Sequence, residues 1–487
     1  MSESVGRRLI VRVAVPLVAG AAIALLPVPP GLSPHAWRYF AAFVAVILSL
    51  ITEPLPAPAL GLIAVTVMAV FGLPFSPAQL ADPAFRLPAE SLKWALAGFA
   101  NGTVWLIFSA FVVAMGYERT RLGRRIALFL VKHLGLKTLG LGYAIALADL
   151  ALAPFTPSNS ARSAGTIFPI IRNVPELYGS RPGESPRAIG AYLMWVAFAT
   201  TCVTSSMFVT ALAPNLLALE MVKAATGIQI TWTEWLVGFL PVGALLLVLL
   251  PYVTYKLYPP TVRTSAEVPQ WATSELDRMG RMSVHETTMA LLAMGALSLW
   301  IFGGSAIDPT MVALAAISLM LVSGVVSWDD IVGHKAAWNV LVWFATLVTL
   351  ADGLGKVGFV GWFGSSASSL LAGHSPTTVM VSLVVLFFLV HYMFASLTAH
   401  TTAVLPAMLA AGLAVPGLPF RTFALLLGYS LGIMGVLTPY ATGPAPVYFA
   451  SGFISRGDFW RLGLIFGLLY LGALLLIGVP WLMAVGP

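Results

Sequence analysis

The chain has 487 residues, of which 59% are hydrophobic and only 9% are charged, whereas soluble domains carry roughly 25% charged residues. This composition excludes a water-soluble fold, and no segment is polar enough for a separate soluble domain. The net charge of +7 comes mostly from Lys and Arg in a few short loops, as the positive-inside rule expects, so it does not indicate a nucleic-acid partner. The single cysteine, Cys202, excludes an intrachain disulfide and a multi-cysteine metal site.

Apolar runs long enough to cross a bilayer recur along the chain, and they predict an all-α polytopic protein with about eleven spans in contact with membrane lipids. The first run follows Arg7 and Arg8 and could be a secretory signal, but its length, from Leu9 to Pro27, favours an uncleaved span. In chain order the predicted spans are residues 9–28, 37–52, 56–73, 94–117, 189–210, 235–256, 287–304, 308–326, 338–352, 420–437 and 459–485.

Two further regions contain an apolar stretch that a polar cluster interrupts before it resumes. Residues 138–178 and 376–415 are each predicted to form a re-entrant hairpin, named hairpin 1 and hairpin 2 here. With a cytoplasmic amino terminus and a re-entrant hairpin 1, the basic loops after residues 118 and 178 and the linker 257–286 all lie in the cytoplasm, as the positive-inside rule requires. We expect a bacterial inner membrane because the sequence shows no transit segment.

The sequence also contains an internal repeat. Three pairs of segments match in the same order: residues 238–251 with 467–480, 210–214 with 442–446, and 158–163 with 396–401. By the span count hairpin 1 opens from the cytoplasm and hairpin 2 from outside, so the repeats have inverted topology, which predicts a transporter with its substrate site near the membrane midplane. The predicted domains are scaffold spans 1–93, a first repeat 94–256, a cytoplasmic linker 257–286 and a second repeat 287–487.

The polar cluster of hairpin 1 breaks a helix and starts another. Pro157 cannot continue a helix, and Ser158 and Asn159 are good N-caps, so a half-helix is expected to begin there with free amide groups and a positive dipole end. Such a terminus favours an anion; Ser160 adds a hydroxyl and Arg162 a full charge. In the second repeat the matching residues are Ser396, Leu397, Thr398, His400 and Thr401.

Two interpretations of these clusters remain open. The hydroxyl groups could merely cap a broken helix while Arg162 pairs with Asp149. The recurrence of a basic residue at the same offset in both repeats favours a binding site instead, since an ionisable group at membrane depth usually lines a cavity.

A second broken helix is predicted opposite each hairpin tip, from hydroxyl, proline and glycine residues in corresponding places. The candidate residues there are Thr204, Ser205 and Ser206 in the first repeat and Ala441, Thr442, Gly443 and Pro444 in the second. Converging helix ends of this kind suit a small dianion with a carboxylate at each end.

At these motifs the sequence resembles the divalent anion:sodium symporter family, the dicarboxylate transporters. Residues 158–160 match its Ser-Asn-Thr hairpin motif and residues 396–398 match the second copy, while 154–162, 391–401 and 440–446 are most similar to its citrate/succinate, tartrate/succinate and 2-oxoglutarate/malate exchanger branch. The resemblance implies eleven spans with two hairpins, a homodimer formed through a scaffold domain, and an elevator movement of the substrate-carrying domain.

Sodium-coupled members of that family hold one sodium ion per repeat at these motifs, and this sequence departs from their pattern. Leu397 stands where they have Asn, and Arg162 and His400 stand where they have small hydroxyl residues. Our hypothesis is that Arg162, and His400 when protonated, balance charge in place of sodium. An empty site with a net positive charge would cross the apolar barrier slowly, which would make exchange obligatory.

The sequence therefore predicts a sodium-independent exchanger of di- or tricarboxylates such as succinate, malate, 2-oxoglutarate, tartrate or citrate, with no cofactor and no bound metal. The alternative is a sodium-coupled dicarboxylate symporter. An inverted repeat favours a transporter over a channel. An intramembrane enzyme would need a catalytic motif such as His-Glu-x-x-His or Gly-x-Ser-x-Gly, and the sequence has neither.

Overall fold

The computed structural model describes residues 2–264, 266–303, 306–371 and 373–485. Throughout this part of the chain the regular elements are helices, apart from an isolated β-bridge between Lys137 and Thr264. The predicted all-α fold is confirmed. The predicted domain limits at residues 1 and 487 lie outside the described residues.

The helices before hairpin 1 include a sharp bend. The axes of α5 and α6 differ by 42° at the break between them, and the Asn101 side chain caps α6 there by accepting a hydrogen bond from the Val104 amide. The helices are α1 Ser2–Leu25, α2 Pro34–Thr52, α3 Ala57–Val70, α4 Pro77–Ala81, α5 Leu87–Leu96, α6 Gly102–Thr120 and α7 Leu122–Leu134, with a 3-10 turn Ala97–Ala100.

The two hairpins have matching first legs, whereas the second leg is π-helical and then α-helical in hairpin 1 and a single α-helix in hairpin 2. Each first leg is a 15-residue helix followed by a three-residue 3-10 helix, and each second leg begins after a short extended break. Hairpin 1 consists of α8 Thr138–Leu152, Ala153–Phe155, the π-helical Ser160–Ile167 and α9 Phe168–Ile171; hairpin 2 consists of α19 Pro376–Val390, His391–Met393 and α20 Leu397–Leu413. The breaks fall at the predicted Pro157 and Ser396 positions.

In the described residues, a set of three helices follows hairpin 1 and a set of four follows hairpin 2. After hairpin 1 come α10 Gly190–Met207, α11 Ala213–Thr226 and α12 Trp232–Leu257, and after hairpin 2 come α21 Phe420–Ile433, α22 Ala445–Ala450, α23 Arg456–Ala473 and α24 Val479–Val485. Between the two sets lie α13 Glu267–Met279, α14 Val284–Phe302, α15 Pro309–Val322, α16 Trp328–Gly333, α17 Lys335–Lys356 and α18 Phe359–Leu371.

Several of these helices are long and apolar enough to cross a membrane. Within the described residues, length and composition identify six such helices, or seven if α5 and α6 form one bent span. Shorter apolar helices occupy other predicted spans, including Pro34–Leu50, Ala57–Val70, Pro309–Val322 and Phe420–Val436. The count of eleven full crossings stays a prediction.

The central helix of the molecule is α10, because every one of its residues is buried. It crosses α21 at very close range: a Cβ atom on Gly432 would lie 2.6 Å from the Ser206 backbone nitrogen. Only glycine permits this approach. The crossing brings together the two helices whose ends lead into the breaks at residues 208–212 and 437–444.

Candidate functional site

One cavity of about 760 Å³ receives both hairpin tips. Its wall combines the break before α11, the break after α21, and residues of α2, α3, α6 and α17. The polar lining includes Ser158, Asn159, Ser160, Ser396, Thr398, Thr442 and Glu53. Residues 158–160 and 396–398, which lie more than 230 positions apart in the chain, therefore line the same cavity.

At each tip a serine caps the start of a helix. Ser158 Oγ accepts a hydrogen bond from the Ala161 amide at 3.3 Å, and Ser396 Oγ accepts one from the Ala399 amide, also at 3.3 Å. The first turns are helical, since the Arg162 amide donates to the Ser158 carbonyl and the His400 amide to the Ser396 carbonyl, both at 3.0 Å. Both helices thus begin at the cavity wall with their positive dipole ends toward it.

The break after α21 contacts both hairpins. Asn159 Nδ2 donates to Thr442 Oγ1 at 2.8 Å, and His391 Nε2 lies 2.8 Å from the Ala441 carbonyl. Gly443 packs directly on hairpin 1, because a Cβ atom there would lie only 1.9 Å from Ser160 Oγ. The second half of the chain therefore completes the site around the hairpin of the first half.

Arg162 lies behind the tip of hairpin 1, not in the cavity wall, and its side chain is fully buried. Its Nε donates to Asp149 Oδ2 at 3.1 Å. Its two other nitrogens donate to carbonyl oxygens and hydroxyls: the carbonyls of Thr156 at 2.9 Å and Ala211 at 3.0 Å, and the hydroxyls of Thr201 at 3.2 Å, Thr204 at 3.3 Å and Ser205 at 3.0 Å.

The sequence left two interpretations of Arg162, and one of them paired its side chain with Asp149. That ion pair is confirmed. Thr204 Oγ1 also donates to the same carboxylate. Because Asp149 balances the guanidinium, the empty site does not carry the net positive charge expected from the sequence. That explanation of obligatory exchange is corrected here.

His400 occupies the equivalent position in hairpin 2 with different surroundings. Its ring is buried among three others, with centroids 4.4 Å from Phe387, 5.0 Å from Phe394 and 5.0 Å from His391. Within the described part of the chain neither ring nitrogen has a hydrogen-bond partner. A positive charge on this ring would have no compensating partner, and burying an unpaired charge is costly.

The other predicted residues divide between the cavity wall and the structure behind it. Leu397 and Gly443 line the cavity. Ser206 lies behind it and donates to the Tyr429 carbonyl at 2.6 Å, while Thr401 donates to the Leu397 carbonyl at 2.8 Å. The predicted residues outside the cavity lining are Arg162, Thr204, Ser205, Ser206, His400, Thr401, Ala441 and Pro444.

Sequence reasoning missed the wall opposite the tips. Glu53, which follows a predicted scaffold span, and Phe111, Trp343 and Phe344, which lie in the predicted repeats, line the cavity. Glu53 contributes the only charge among the lining residues and has a left-handed backbone, with φ 48°. The sequence did contain a signal for Glu53, namely a carboxylate in the proline-rich break Glu53–Pro56 between two apolar runs. The aromatic residues of this wall have no comparable signal in the sequence.

Two capped helix starts that face one cavity with hydroxyl and amide side chains in its wall, within a bundle of apolar helices, are typical of a membrane transporter. Among the described residues no group of three or more His, Cys, Asp or Glu side chains could hold a metal ion. The chain belongs to the family described as the sodium:sulfate symporter transmembrane region, which it matches over residues 7–486.

Curated relatives agree with that membership. The chain is 50% identical over 473 residues to the L-tartrate/succinate antiporter of Escherichia coli (strain K12), covering 96% of this chain and 97% of that protein. The antiporter of the same name from Shigella sonnei (strain Ss046) matches with the same identity and coverage. These relatives are named as transporters, not enzymes.

Two solved transporters share the fold. The Alcanivorax borkumensis YdaH transporter superposes with a TM-score of 0.59 at 16% identity, covering 88% of this chain and 98% of that one. Neisseria gonorrhoeae MtrF, described as an antimetabolite efflux pump, gives a TM-score of 0.54 at 14% identity, covering 96% and 97%. At such low identity the likeness concerns the fold alone.

Proposed function

We propose that this transporter exchanges small dicarboxylates, with succinate and tartrate as the first candidates. The observation that carries the proposal is the convergence of two capped helix starts on one cavity. Each start presents free amides and hydroxyls suited to one carboxylate, so a molecule with a carboxylate at each end can use both. The half-identical L-tartrate/succinate antiporters support this substrate class and favour antiport over symport.

Arg162 supports sodium independence. Its two terminal nitrogens are surrounded by two backbone carbonyls and three hydroxyls, which are the kinds of oxygen that coordinate sodium at broken transporter helices. In the proposed mechanism the guanidinium occupies this nest permanently, and Asp149 neutralises it. A sodium ion has no place there, so hairpin 1 keeps its shape without one.

Obligatory exchange then follows from the helix starts. In an empty carrier the first amides of each helix that no side chain caps, and the cavity-facing hydroxyl hydrogens, depend on water, and moving them across an apolar barrier removes that water. A bound dianion accepts those hydrogen bonds and balances the dipole ends. The loaded carrier therefore crosses more easily than the empty one.

The proposed architecture is an inverted-repeat elevator. Hairpins 1 and 2, α10–α12 and α21–α24 form the moving carrier, and α1–α6 and α14–α17 form the fixed scaffold through which a homodimer assembles. The matching first legs and serine caps of the two hairpins support the internal repeat. The proposed location is the inner membrane, with a cytoplasmic amino terminus.

In the proposed site, Arg162, His400 and the other residues behind the cavity support the hairpin tips without touching substrate.

The decisive experiment is counterflow in proteoliposomes. Vesicles loaded with unlabelled succinate should accumulate labelled succinate or tartrate, with saturation and trans-stimulation, whether the buffer contains sodium or choline. Uptake that requires sodium and needs no internal substrate would instead establish the symporter. Flux that neither saturates nor responds to internal substrate would indicate a channel.

A further inference from the structure

A carboxylate outside the cavity lining bridges the proposed carrier and the proposed scaffold. Glu220 lies in α11 and is half-buried. It accepts a hydrogen bond from Asn101 Nδ2 at 2.6 Å and another from Thr103 Oγ1 at 2.8 Å. Hydrogen bonds to an ionised acceptor are about twice as strong as neutral ones, so this contact joins the two parts firmly.

The partners of Glu220 belong to the fixed part of the molecule. Asn101 caps α6. The adjacent Gly102 carbonyl accepts a hydrogen bond from Thr310 of α15 at 3.1 Å, and the Gly98 amide donates to Thr349 of α17 at 3.1 Å. The start of α6 is therefore anchored to two other scaffold helices.

Glu220 itself is connected to the substrate site. It lies two turns beyond the start of α11, where Ala213 and Pro214 line the cavity. The Ala213 amide donates to the Pro157 carbonyl of hairpin 1 at 2.9 Å, and Asn215 Nδ2 donates to the Ser205 carbonyl of α10 at 2.7 Å. Any displacement of hairpin 1 relative to α6 must therefore move Glu220 away from its partners.

We propose that Glu220, Asn101 and Thr103 form a latch that holds the carrier against the scaffold in this conformation and opens in each transport cycle. This inference rests on the elevator movement proposed above. When the latch is open, the Glu220 carboxylate lacks its two hydrogen-bond donors. This loss raises the free energy of the conformation in which the carrier has moved away from the scaffold. The latch therefore acts on the rate of the conformational change, and none of its three residues lines the substrate cavity.

A reversible cross-link tests whether the contact opens. In the variant Thr103→Cys/Glu220→Cys, a short bis-methanethiosulfonate reagent, which forms one disulfide with each cysteine and releases two sulfinate groups, should abolish succinate counterflow, and reductant should restore it. The matched control is Gly102→Cys/Thr310→Cys, at a pair where a Cβ atom on Gly102 would lie 3.5 Å from Thr310 Oγ1; its cross-link joins two scaffold helices and should leave counterflow at the level of its reduced form. The native Cys202 is fully buried, so it does not compete for the reagent.

Continued exchange by the cross-linked Thr103→Cys/Glu220→Cys protein would overturn the latch, because it would show that exchange does not require the contact to open. Wild-type protein that fails to exchange would instead refute the proposed function, so the two failures are distinct. Equal inhibition of the control pair would also overturn the latch, because it would show that cross-linking near α6 inhibits regardless of partner.

A charge exchange tests the energetic coupling. Glu220→Gln removes the carboxylate, and Asn101→Asp places two carboxylates together while keeping a good N-cap. The double variant Asn101→Asp/Glu220→Gln again has one carboxylate and one amide, with their positions exchanged. At saturating succinate, the rate of the double variant should differ at least about fivefold from the product of the single effects. Independent effects would mean that the pair does not couple, and the latch would be wrong.

Discussion

Hairpins 1 and 2 have the same elements in their first legs and the same serine cap, yet the basic residue four positions after the cap has opposite surroundings in the two hairpins. Arg162 donates hydrogen bonds to six protein oxygens including a carboxylate, whereas the His400 ring packs against three aromatic rings and its nitrogens have no partner in the described residues. Equivalent positions in a repeat therefore do not imply equivalent chemistry.

The difference indicates that the two halves have separate tasks. Hairpin 1 contains a fixed cation whose bonds hold the tip, α10 and the break before α11 together. Hairpin 2 is held by packing, and Leu397 removes the side-chain oxygen that an asparagine would offer at its tip. The following predictions test this asymmetry, beginning with the largest expected effect.

Replacing Arg162 by Ala should abolish exchange and lower the free energy of unfolding by about 3–5 kcal/mol, because Asp149 would remain as a buried, unpaired charge. Thermal unfolding in detergent and succinate counterflow measure the two effects. The double variant Arg162→Ala/Asp149→Ala should recover part of the stability without recovering exchange. A stable, active Arg162→Ala protein would show that hairpin 1 does not depend on a fixed cation.

Replacing Asn159 by Ala should raise the KM for succinate about fivefold to tenfold, as expected when one buried hydrogen bond of about 1 kcal/mol and one cavity-facing amide are lost. The variant Thr442→Val removes the same 2.8 Å hydrogen bond but leaves the amide in the cavity. It should therefore have a smaller effect. Equal effects would show that the amide does not contact substrate.

Replacing His400 by Phe should reduce the maximal exchange rate by at most about threefold, because a phenyl ring preserves the aromatic packing and volume-conserving changes in a core are tolerated best. The variant His400→Ala, which creates a cavity, provides the comparison. If His400→Phe abolishes counterflow while remaining folded, the imidazole has a chemical role and the hairpins are more alike than their surroundings indicate.

Replacing sodium by choline on both sides should change the exchange rate less than about twofold, the smallest effect in this series, since the oxygen nest of hairpin 1 is filled by a guanidinium. Counterflow at matched ionic strength measures it. A strong sodium requirement would place a cation site in hairpin 2 and overturn sodium independence.

Much of this architecture was predictable from the sequence because local rules determine it. Pro157 and Ser396 marked the two breaks, and the apolar first legs together with the repeated Ser-x-x-x-basic pattern predicted paired hairpins. The pairing of Arg162 with Asp149 was one of two interpretations, since a buried charge in a membrane needs a partner.

What could not be predicted depends on packing between distant helices. Motif matching placed Arg162 in the substrate site, but the direction of its side chain is decided by the hydroxyls of α10, about forty residues later. The aromatic wall formed by Phe111, Trp343 and Phe344 has no local signal, because apolar residues in a span are equally consistent with a lipid-facing surface.

The buried ion pair also has a consequence for how the chain enters the membrane. Arg162 and Asp149 are only 13 positions apart and belong to the same hairpin. They can neutralise each other as soon as hairpin 1 is synthesised, before the hydroxyls of α10 exist. The hairpin can then insert as a neutral unit, which avoids the cost of carrying two separate charges into the bilayer.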